Sequence, residues 1–333
     1  MMRVTEPDML PIGRSGISVP FLGMGTWAIG GGTWWGDNDD EVSIAAIRKA
    51  VDCGVTWIDT APIYGLYHSE EVVGRALQGI RNKVVLSTKC GLQWRHPTSM
   101  PHKTVDGTQV YRDLSKASIM QDAEDSLRRL HTDCIDVLYT HWQTTDLSVY
   151  PLEDTMDAFY TLKKQGKIRA IGASNVTPDM LRRYIALGGL DVIQEKYSVL
   201  TRRIEEELLP LCHENGISLQ AYSPLEQGLL TGKVTMESVY PPGDTRSGNP
   251  QFRPENRKKA LELLKAWQPL CGAYGCSMGN LVIAYTARRG YPVHILAGAR
   301  TPEQAEDNSR ALSVRLSDED VSSMTAALES ILM

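Results

Sequence analysis

An α/β fold is expected for this chain of 333 residues, and within that class a (β/α)8 TIM barrel. Three observations predict it. Eight short β-rich runs alternate with helical patterns along the whole length. Most of those runs are near-continuous apolar stretches, the pattern of strands buried on both faces of a parallel sheet. No linker rich in Pro, Gly or Ser divides the chain, so residues 1–333 read as one barrel domain. The alternative is a doubly wound sheet followed by a second domain.

The elements follow in order. A hairpin is expected at 9–20, built on Gly13 and Gly16 and placed to plug the barrel floor. The first strand is 21–28, and 40–53 follows as a helix with Val42, Ala45, Ala46, the Lys49 stem, Ala50 and Cys53 on one face. The second strand, 55–61, leads to a helix that Ser69 opens and Gly79 stops. The third, 84–90, runs into a long irregular stretch at 91–115, after which 116–130 carries Ile119, Ala123, Leu127 and Leu130 at helical spacing. The fourth strand is 135–141, and its helix at 152–165 ends at Gly166. The fifth, 168–174, leads to Thr177-Pro178-Asp179, an N-cap with proline at the first helical position. The sixth, 192–197, precedes a helix at 204–215 that ends in Asn215-Gly216. After the seventh, 218–224, come a second irregular stretch at 232–254, an extra helix at about 255–273 and a helix at 277–289 capped by Ser277. After the eighth, 293–299, Thr301-Pro302-Glu303 opens one helix, and Ser317 opens a C-terminal extra helix with Asp318 to Asp320 near its positive end. Both irregular stretches follow strand C-termini, where long loops are expected to serve as lids.

Composition excludes several classes. The 35 basic and 40 acidic residues leave a net charge of −5, which argues against a nucleic-acid binder. No apolar run approaches a membrane span, and Met1 to Leu10 is polar, so no membrane partner or signal peptide is expected and the cytoplasm is the expected compartment. Six cysteines, none in a C-x-x-C pair, fit a reducing compartment, and Cys90 is expected to pack. No His/Cys cluster with metal-ligand spacing exists, so no metal site is expected.

Two glycine motifs are rejected. Gly23-Met24-Gly25-Thr26-Trp27-Ala28 spells a dinucleotide-binding turn, but that motif must open a helix. Here Gly30-Gly31-Gly32 and Trp34-Trp35-Gly36 follow, and no helix is expected. Gly228 to Lys233 resembles a phosphate loop but is one residue short and lacks the Ser or Thr after the lysine. Its glycines and lysine still suit phosphate contact.

The informative positions are polar residues at strand ends: Asp59, Tyr64 five residues later, Lys89 and His141. Taken singly, they read as a turn residue, a packed loop residue, a solvated charge and a partner for Trp142. In a barrel, neighbouring strand ends meet at one mouth, and the coincidence becomes chemical. A buried lysine needs a carboxylate, which Asp59 supplies. An ammonium beside a phenol favours the phenolate, so Lys89 is expected to lower the pKa of Tyr64. His141 can donate a second hydrogen bond to a carbonyl oxygen. The set suits protonation of a carbonyl oxygen while hydride reaches its carbon. A side chain has no hydride to give, so a nicotinamide cofactor is implied.

At this point the sequence resembles the aldo-keto reductase family. The resemblance rests on WIDTAPIYG (57–65), STKCG (87–91), DVLYTHW (136–142), GKIRAIGASN (166–175), AYSPLEQGLLTGK (221–233) and GARTPEQAEDN (298–308). It covers nearly the whole chain in order. Through GTWAIGG (25–31), Trp35-Gly36 and Gln194 the chain looks most like the bacterial branch of general-stress aldehyde reductases. The resemblance implies Tyr64 as general acid, Asp59 and Lys89 as its tuning pair and His141 as the orienting donor. It implies that Ser174, Asn175 and Gln194 hold the nicotinamide carboxamide and that Tyr222 stacks on the ring. Ser223, Pro224, Leu225, Gln227, Gly228 and Leu230, with Lys233 and Arg246, would line a pyrophosphate strap. Thr26 and Trp27 would lie near the ribose, and Gly298, Ala299, Arg300, Gln304, Asp307 and Asn308 around the adenosine. Many relatives place Lys, Ser and Arg around the adenosine 2′-phosphate. Gly298, Ala299 and Gln304 stand there instead, with Arg300 the one evident cation. An arginine binds phosphate well, so NADP(H) is the expected cofactor and NAD(H) the alternative.

Trp27, Trp35, Trp94 and Trp142 fall on mouth-side segments and are expected to line a water-excluding substrate pocket. Arg95, His96 and His102 in the 91–115 stretch would favour a polar or anionic carbonyl substrate. The expected function is NADP(H)-dependent reduction of aldehydes and ketones. The alternatives are an NAD(P)-dependent sugar or alcohol dehydrogenase and a cofactor-sensing subunit like the β subunits of potassium channels.

Overall fold

A computed structural model describes residues 8–240, 244–288 and 293–332. Parts of three expectations lie outside these residues: the polar N-terminus before residue 8, positions 241–243 of the second irregular stretch, and the helix end at Arg289. Eight parallel strands close into a barrel. They are β1 (Leu22–Gly25), β2 (Trp57–Asp59), β3 (Val85–Cys90), β4 (Ile135–Thr140), β5 (Ile168–Ser174), β6 (Val192–Lys196), β7 (Ser218–Tyr222) and β8 (Val293–Gly298). Each pairs with the next in chain order, and β8 closes on β1 with Gly298 opposite Gly25. The helices α1 (Asp40–Asp52), α2 (His68–Leu77), α3 (Lys116–Arg129), α4 (Leu152–Lys164), α5 (Pro178–Ala186), α6 (Leu208–Asn215), α7 (Pro254–Tyr274), α8 (Met278–Ala287), α9 (Pro302–Ser309) and α10 (Asp318–Leu332) complete the architecture. No described helix is long and apolar enough to cross a membrane.

The strands alternate their side chains between two environments, as the period of two requires. Ile58, Leu86, Leu138, Ile171 and Ile193 face outward and join the helices in the main core. Trp57, Val137, Tyr139, Ala170 and Val192 face inward and meet Ile12, Ile17 and Val19 of the N-terminal hairpin. That hairpin pairs Met9–Pro11 with Ser18–Pro20 and closes the floor. Gly13 sits at φ +51, and a Cβ there would stand 2.0 Å from the Asp191 carbonyl oxygen. On β1 the inward positions are the two rejected-motif glycines. A Cβ on Gly23 would meet the Trp57 carbonyl at 3.0 Å, and one on Gly25 would meet Leu296 at 3.1 Å. The G-x-G pattern therefore serves barrel packing.

Several expectations are corrected. The first strand ends at Gly25, and a 3-10 turn (Trp27–Gly30) and a short helix (Gly32–Trp35) follow where no helix was expected. Both are too short to be a dinucleotide-binding helix. The α1 face is rotated: Ser43, Ala46, Ile47, Ala50 and Val51 are buried, whereas Val42 is exposed. Packing against α2 and α9 selects this face. The 91–115 stretch is ordered as a three-stranded antiparallel sheet of Leu92–Gln93, Pro101–Val105 and Thr108–Arg112. Its turn is Asp106-Gly107, both left-handed at φ 45 and 78, a recognisable hairpin dipeptide that the irregular reading passed over. The 204–215 helix begins at Leu208 after a 3-10 turn over Arg203–Glu205. The predicted caps Thr177, Ser277 and Thr301 all accept from the backbone three residues on.

Replacing Gly13 by Val should destabilise the chain by about 2 kcal/mol or more, because the left-handed backbone and the Asp191 contact both reject a side chain. Urea unfolding monitored by tryptophan fluorescence reads this. An unchanged midpoint would mean that the plug does not need its glycine.

Candidate active site

The inward register that fills the barrel floor with apolar groups delivers polar ones to its top. Asp59 follows Trp57 by two residues and lies opposite both Gly25 and Ser87. Lys89 follows Ser87 by two and lies opposite Tyr139. His141 stands just past β4, Ser174 ends β5 and Tyr222 ends β7. The outward neighbours Thr60 and Thr88 turn instead to Ser69 and Glu70 of α2.

Asp59 and Lys89 form an ion pair of 2.6 Å whose side chains are 1% and 0% exposed. Lys89 also donates to the Thr60 carbonyl. Asp59 Oδ1 accepts from Ser87 and from the amide nitrogen of Gln194. Below them the Trp57 indole donates to Ser87, and Gln220 accepts from both Gln194 and Tyr139. Both charges are thus embedded in hydrogen bonds on five strands. Burial opposes the Lys89 ammonium, but Asp59 and Tyr64 outweigh it and hold its pKa above the usual lysine value.

Tyr64 arrives on the loop after β2. A Cβ on Gly30 would strike the Tyr64 backbone at 2.6 Å, and one on Gly65 would stand 2.1 Å from the Gly30 carbonyl. Two glycines thus let the β1 and β2 loops cross in contact. The Lys89 ammonium lies 5.0 Å from the Tyr64 ring centre, and His141 meets that ring edge-on at 5.8 Å. Burial raises the Tyr64 pKa; Lys89 pulls it back without cancelling the rise. The sequence expectation of a lowered pKa is corrected: Lys89 acts in that direction, but desolvation is larger. His141 is held well below the usual histidine range, first by burial and then by Lys89, Lys103 and His102, so it is neutral at pH 7.

The expected cofactor residues divide. Ser174, Asn175 and Tyr222 form a connected set: Tyr222 donates to Asn175 Oδ1, Asn175 donates to the His141 carbonyl, and Ser174 donates to the Gln194 carbonyl. Gln194 spends its amide nitrogen on Asp59 and Gln220, which leaves a cofactor its oxygen alone. Thr26 is fully buried, with its hydroxyl on the Asp59 carbonyl, so it ties the β1 and β2 loops and does not face a ribose. Leu230 and Ala299 are core residues and present no side chain to a ligand. The strap after β7 carries left-handed residues at Ser223, Glu226, Gln227 and Gly228. Gln227 links it to Thr245 and Asn249. Sequence reasoning passed over Glu226, whose buried carboxylate anchors the strap to Ser198, Thr201 and Lys196. A side chain at Gly228 would meet open space. Lys233 is exposed, whereas Arg246 is paired with Asp244 and stacked on Tyr240. Where the adenosine end is expected, Arg300 donates to the Trp35 carbonyl at 3.1 Å and lies over the Trp35 ring. Gln304 accepts from the Arg300 backbone, and Asn308 donates to the Gly298 carbonyl.

Trp27 sits edge-on to both Trp34 and Trp35. Trp94 stacks on Tyr67, and Trp142 packs against His102. Arg95 is corrected as a substrate group: it pairs with Asp122 and Ser118 and docks the three-stranded sheet on α3. His96 faces Asp113. No group of three or more His, Cys, Asp or Glu among the described residues could hold a metal ion.

These features have parallels. The model of the Aldo/keto reductase family matches residues 21–329. An NADH-specific methylglyoxal reductase of Escherichia coli (strain K12) is 45% identical over 324 residues, 97% of this chain and 98% of that protein. The glycerol dehydrogenase AKR11B4 of Gluconobacter oxydans superposes with a TM-score of 0.86 at 33% identity, covering 99% of this chain and 96% of that one. An aldo/keto reductase of Klebsiella pneumoniae, solved in complex with NADP and acetate, superposes at 0.69 with 27% identity over 97% and 95% of the two chains. The chain belongs to the aldo/keto reductase family. It is an NAD(P)H-dependent oxidoreductase that reduces carbonyl groups.

One buried acid beside the site gives a pH prediction. Glu195 accepts from the Val176 backbone, next to Asn175, and burial raises its pKa to about 8. A carboxyl whose folded-state pKa is raised binds a proton that the unfolded chain has released. Its contribution to stability is therefore lost between about pH 4.5 and pH 8. Glu195→Gln should be progressively more stable than the wild type across that window, by a few kcal/mol at its upper end. Urea midpoints at a series of pH values check this, and a pH-independent difference would contradict it.

Proposed function

We propose that this chain reduces small aldehydes and ketones to alcohols, with Tyr64 as general acid and NADH as the preferred reductant. The observation that carries the reading is the buried Asp59–Lys89 pair, with its ammonium against the Tyr64 ring. A bound nicotinamide supplies a hydride equivalent to the carbonyl carbon. Ser174, Asn175 and the Gln194 oxygen would hold its carboxamide, Tyr222 would cover the ring, and the 223–230 strap with Lys233 would take the pyrophosphate.

With its pKa raised by burial, the Tyr64 phenol stays protonated at neutral pH and can give that proton to the carbonyl oxygen. The phenolate left behind faces a permanent cation, because Asp59 keeps Lys89 charged. Neutral His141 supplies a hydrogen bond to the same carbonyl oxygen without competing for the proton. Preference for NADH follows from the adenosine end. Gly298, Ala299 and Gln304 carry no charge, Asp307 is acidic, and Arg300 is engaged by Trp35. The NADH specificity of the Escherichia coli relative supports the same choice over the NADPH expected from Arg300 alone. Alcohol oxidation is the second reading, favoured by the likeness to a glycerol dehydrogenase. In that direction Tyr64 would have to be a base.

Tyr64→Phe should lower kcat for aldehyde reduction by about 10²- to 10⁴-fold while leaving the NADH Kd within about twofold. Survival of activity would mean that another group is the acid. Reduction by the wild type should hold level from pH 6 to 9 and fall only as pH rises through the raised Tyr64 pKa. Initial rates that climb steadily with pH in the oxidative direction, with negligible reduction at pH 7, would favour the second reading. Arg300→Ala should weaken NADH and NADPH alike, and a selective loss of NADPH would restore a 2′-phosphate role.

A further inference from the structure

The three-stranded sheet of residues 92–112 forms one wall of the catalytic mouth. Its buried residues Leu92, Val105 and Val110 share an apolar cluster with Ile63, Tyr64 and Trp142. Most charges of this wall have a structural partner: Arg95 has Asp122, His96 has Asp113, and Asp106 holds Thr33. Two cations do not. Among the described residues no carboxylate pairs with Lys103 or Arg112. The Lys103 ammonium lies 4.2 Å from the centre of the Trp34 ring, and the Arg112 guanidinium lies 5.6 Å from that of Trp142. Trp142 directly follows His141 in the chain, and His102 packs on its ring at 5.3 Å. Arg112 donates to the Gln143 carbonyl and approaches His102 Nδ1 at 3.5 Å. Two donors here are buried with no partner, Arg112 Nε and His102 Nε2.

The environment fits a missing anion. Partial burial lowers the pKa of both Lys103 and Arg112, and no acid offsets it. Burial, then Lys103 and Arg112, press His102 down to about 4, so the imidazole is neutral and free to donate one hydrogen bond. Lys103 and His102 are also close enough to His141 to depress it. Burying Arg112 Nε and His102 Nε2 without partners is unfavourable, Lys103 adds a second cation at the exposed edge of the same patch, and Arg95 on the same sheet has the partner that a purely structural arginine takes.

We infer that Lys103, Arg112 and His102 form an anion subsite, and that the substrate is a carbonyl compound carrying a carboxylate. This rests on the reductase reading above and names its substrate class. The guanidinium is suited to take the carboxylate, Lys103 adds charge, and the aldehyde or keto end faces Tyr64 and His141. Arg95 and His96, the sequence-level candidates for this task, are replaced in it by Lys103 and Arg112.

The test compares 4-oxobutanoate with its uncharged isostere 4-oxobutanamide under NADH, in a zwitterionic buffer free of phosphate. The subsite predicts a kcat/KM at least about tenfold higher for the carboxylate, the scale of a charge-assisted hydrogen bond. Lys103→Met, at the sheet surface, should remove most of that ratio, and Arg112→Met should remove it fully. Lys83→Met, a distant exposed lysine, should keep it. A wild-type ratio below about twofold, or one unchanged in both variants, overturns the subsite. Calorimetric titration of succinate and succinamate into the NAD⁺-saturated chain separates the two proposals. If neither aldehyde turns over but succinate binds in preference and Lys103→Met abolishes it, the reductase reading fails and the subsite stands. If the amide turns over with Tyr64 dependence but succinate shows no preference, the reductase reading stands and the subsite fails.

Discussion

The buried pair of Asp59 and Lys89 is the constraint around which the barrel interior is built. Two opposite charges at 2.6 Å, both essentially without solvent, gain little net stability, because desolvation opposes their attraction. Removing one partner alone would cost about 3–5 kcal/mol, so the pair must be complete and its remaining valences filled. Ser87, Gln194 and the Thr60 carbonyl fill them. Those groups are held in turn by Trp57 and Gln220. An apolar interior of the same volume would be simpler to stabilise. What the ion pair adds is a fixed cation beneath a phenol, in a place where water cannot screen it.

That placement depends on strand parity. Each strand sends alternate residues inward, so the tryptophan that seats the hairpin plug and the aspartate that charges the mouth are two positions apart on β2. The same step separates Ser87 from Lys89. Small residues give these groups room. Gly23 and Gly25 clear space for Trp57 and Leu296, and Gly172 admits the Tyr139 ring, which a Cβ would strike at 2.3 Å. A slip of one residue in any of these strands would exchange the site for the helix-facing core. Floor and mouth are therefore one packing problem.

The segments above the barrel follow a different logic. The strap after β7 is held by a buried carboxylate, Glu226, and by the Gln227 contacts, and four of its residues adopt left-handed backbone. Such strain persists only where surrounding contacts over-determine it, and it is common where a backbone must wrap a ligand. The sheet at 92–112 is fixed to α3 by Arg95 and Asp122, while its Lys103 and Arg112 lie against Trp34 and Trp142 with no carboxylate partner among the described residues. Rigid anchoring on one side and unpaired charge on the other is how a loop wall becomes a recognition surface.

Local patterning carried much of this protein. The alternation of apolar runs with capped helices identified eight strands and their order, because helix caps, apolar runs and glycine stops are properties of a few adjacent residues. Asp59, Tyr64, Lys89 and His141 were legible because strand ends converge in any barrel, and the DTAPIYG and STKCG segments carry a family resemblance. Tertiary contact decided the rest. It decided which face of α1 is buried, because α2 and α9 press on that side. It decided that Thr26, Leu230 and Ala299 pack and that Arg300 meets Trp35. It decided that burial outweighs Lys89 in setting the Tyr64 pKa, since desolvation depends on everything that surrounds a group. It also decided which cations lack a partner. Arg95 and Arg112 look alike in the sequence, and the difference lies in Asp122, which reaches one of them across 27 residues of chain and not the other.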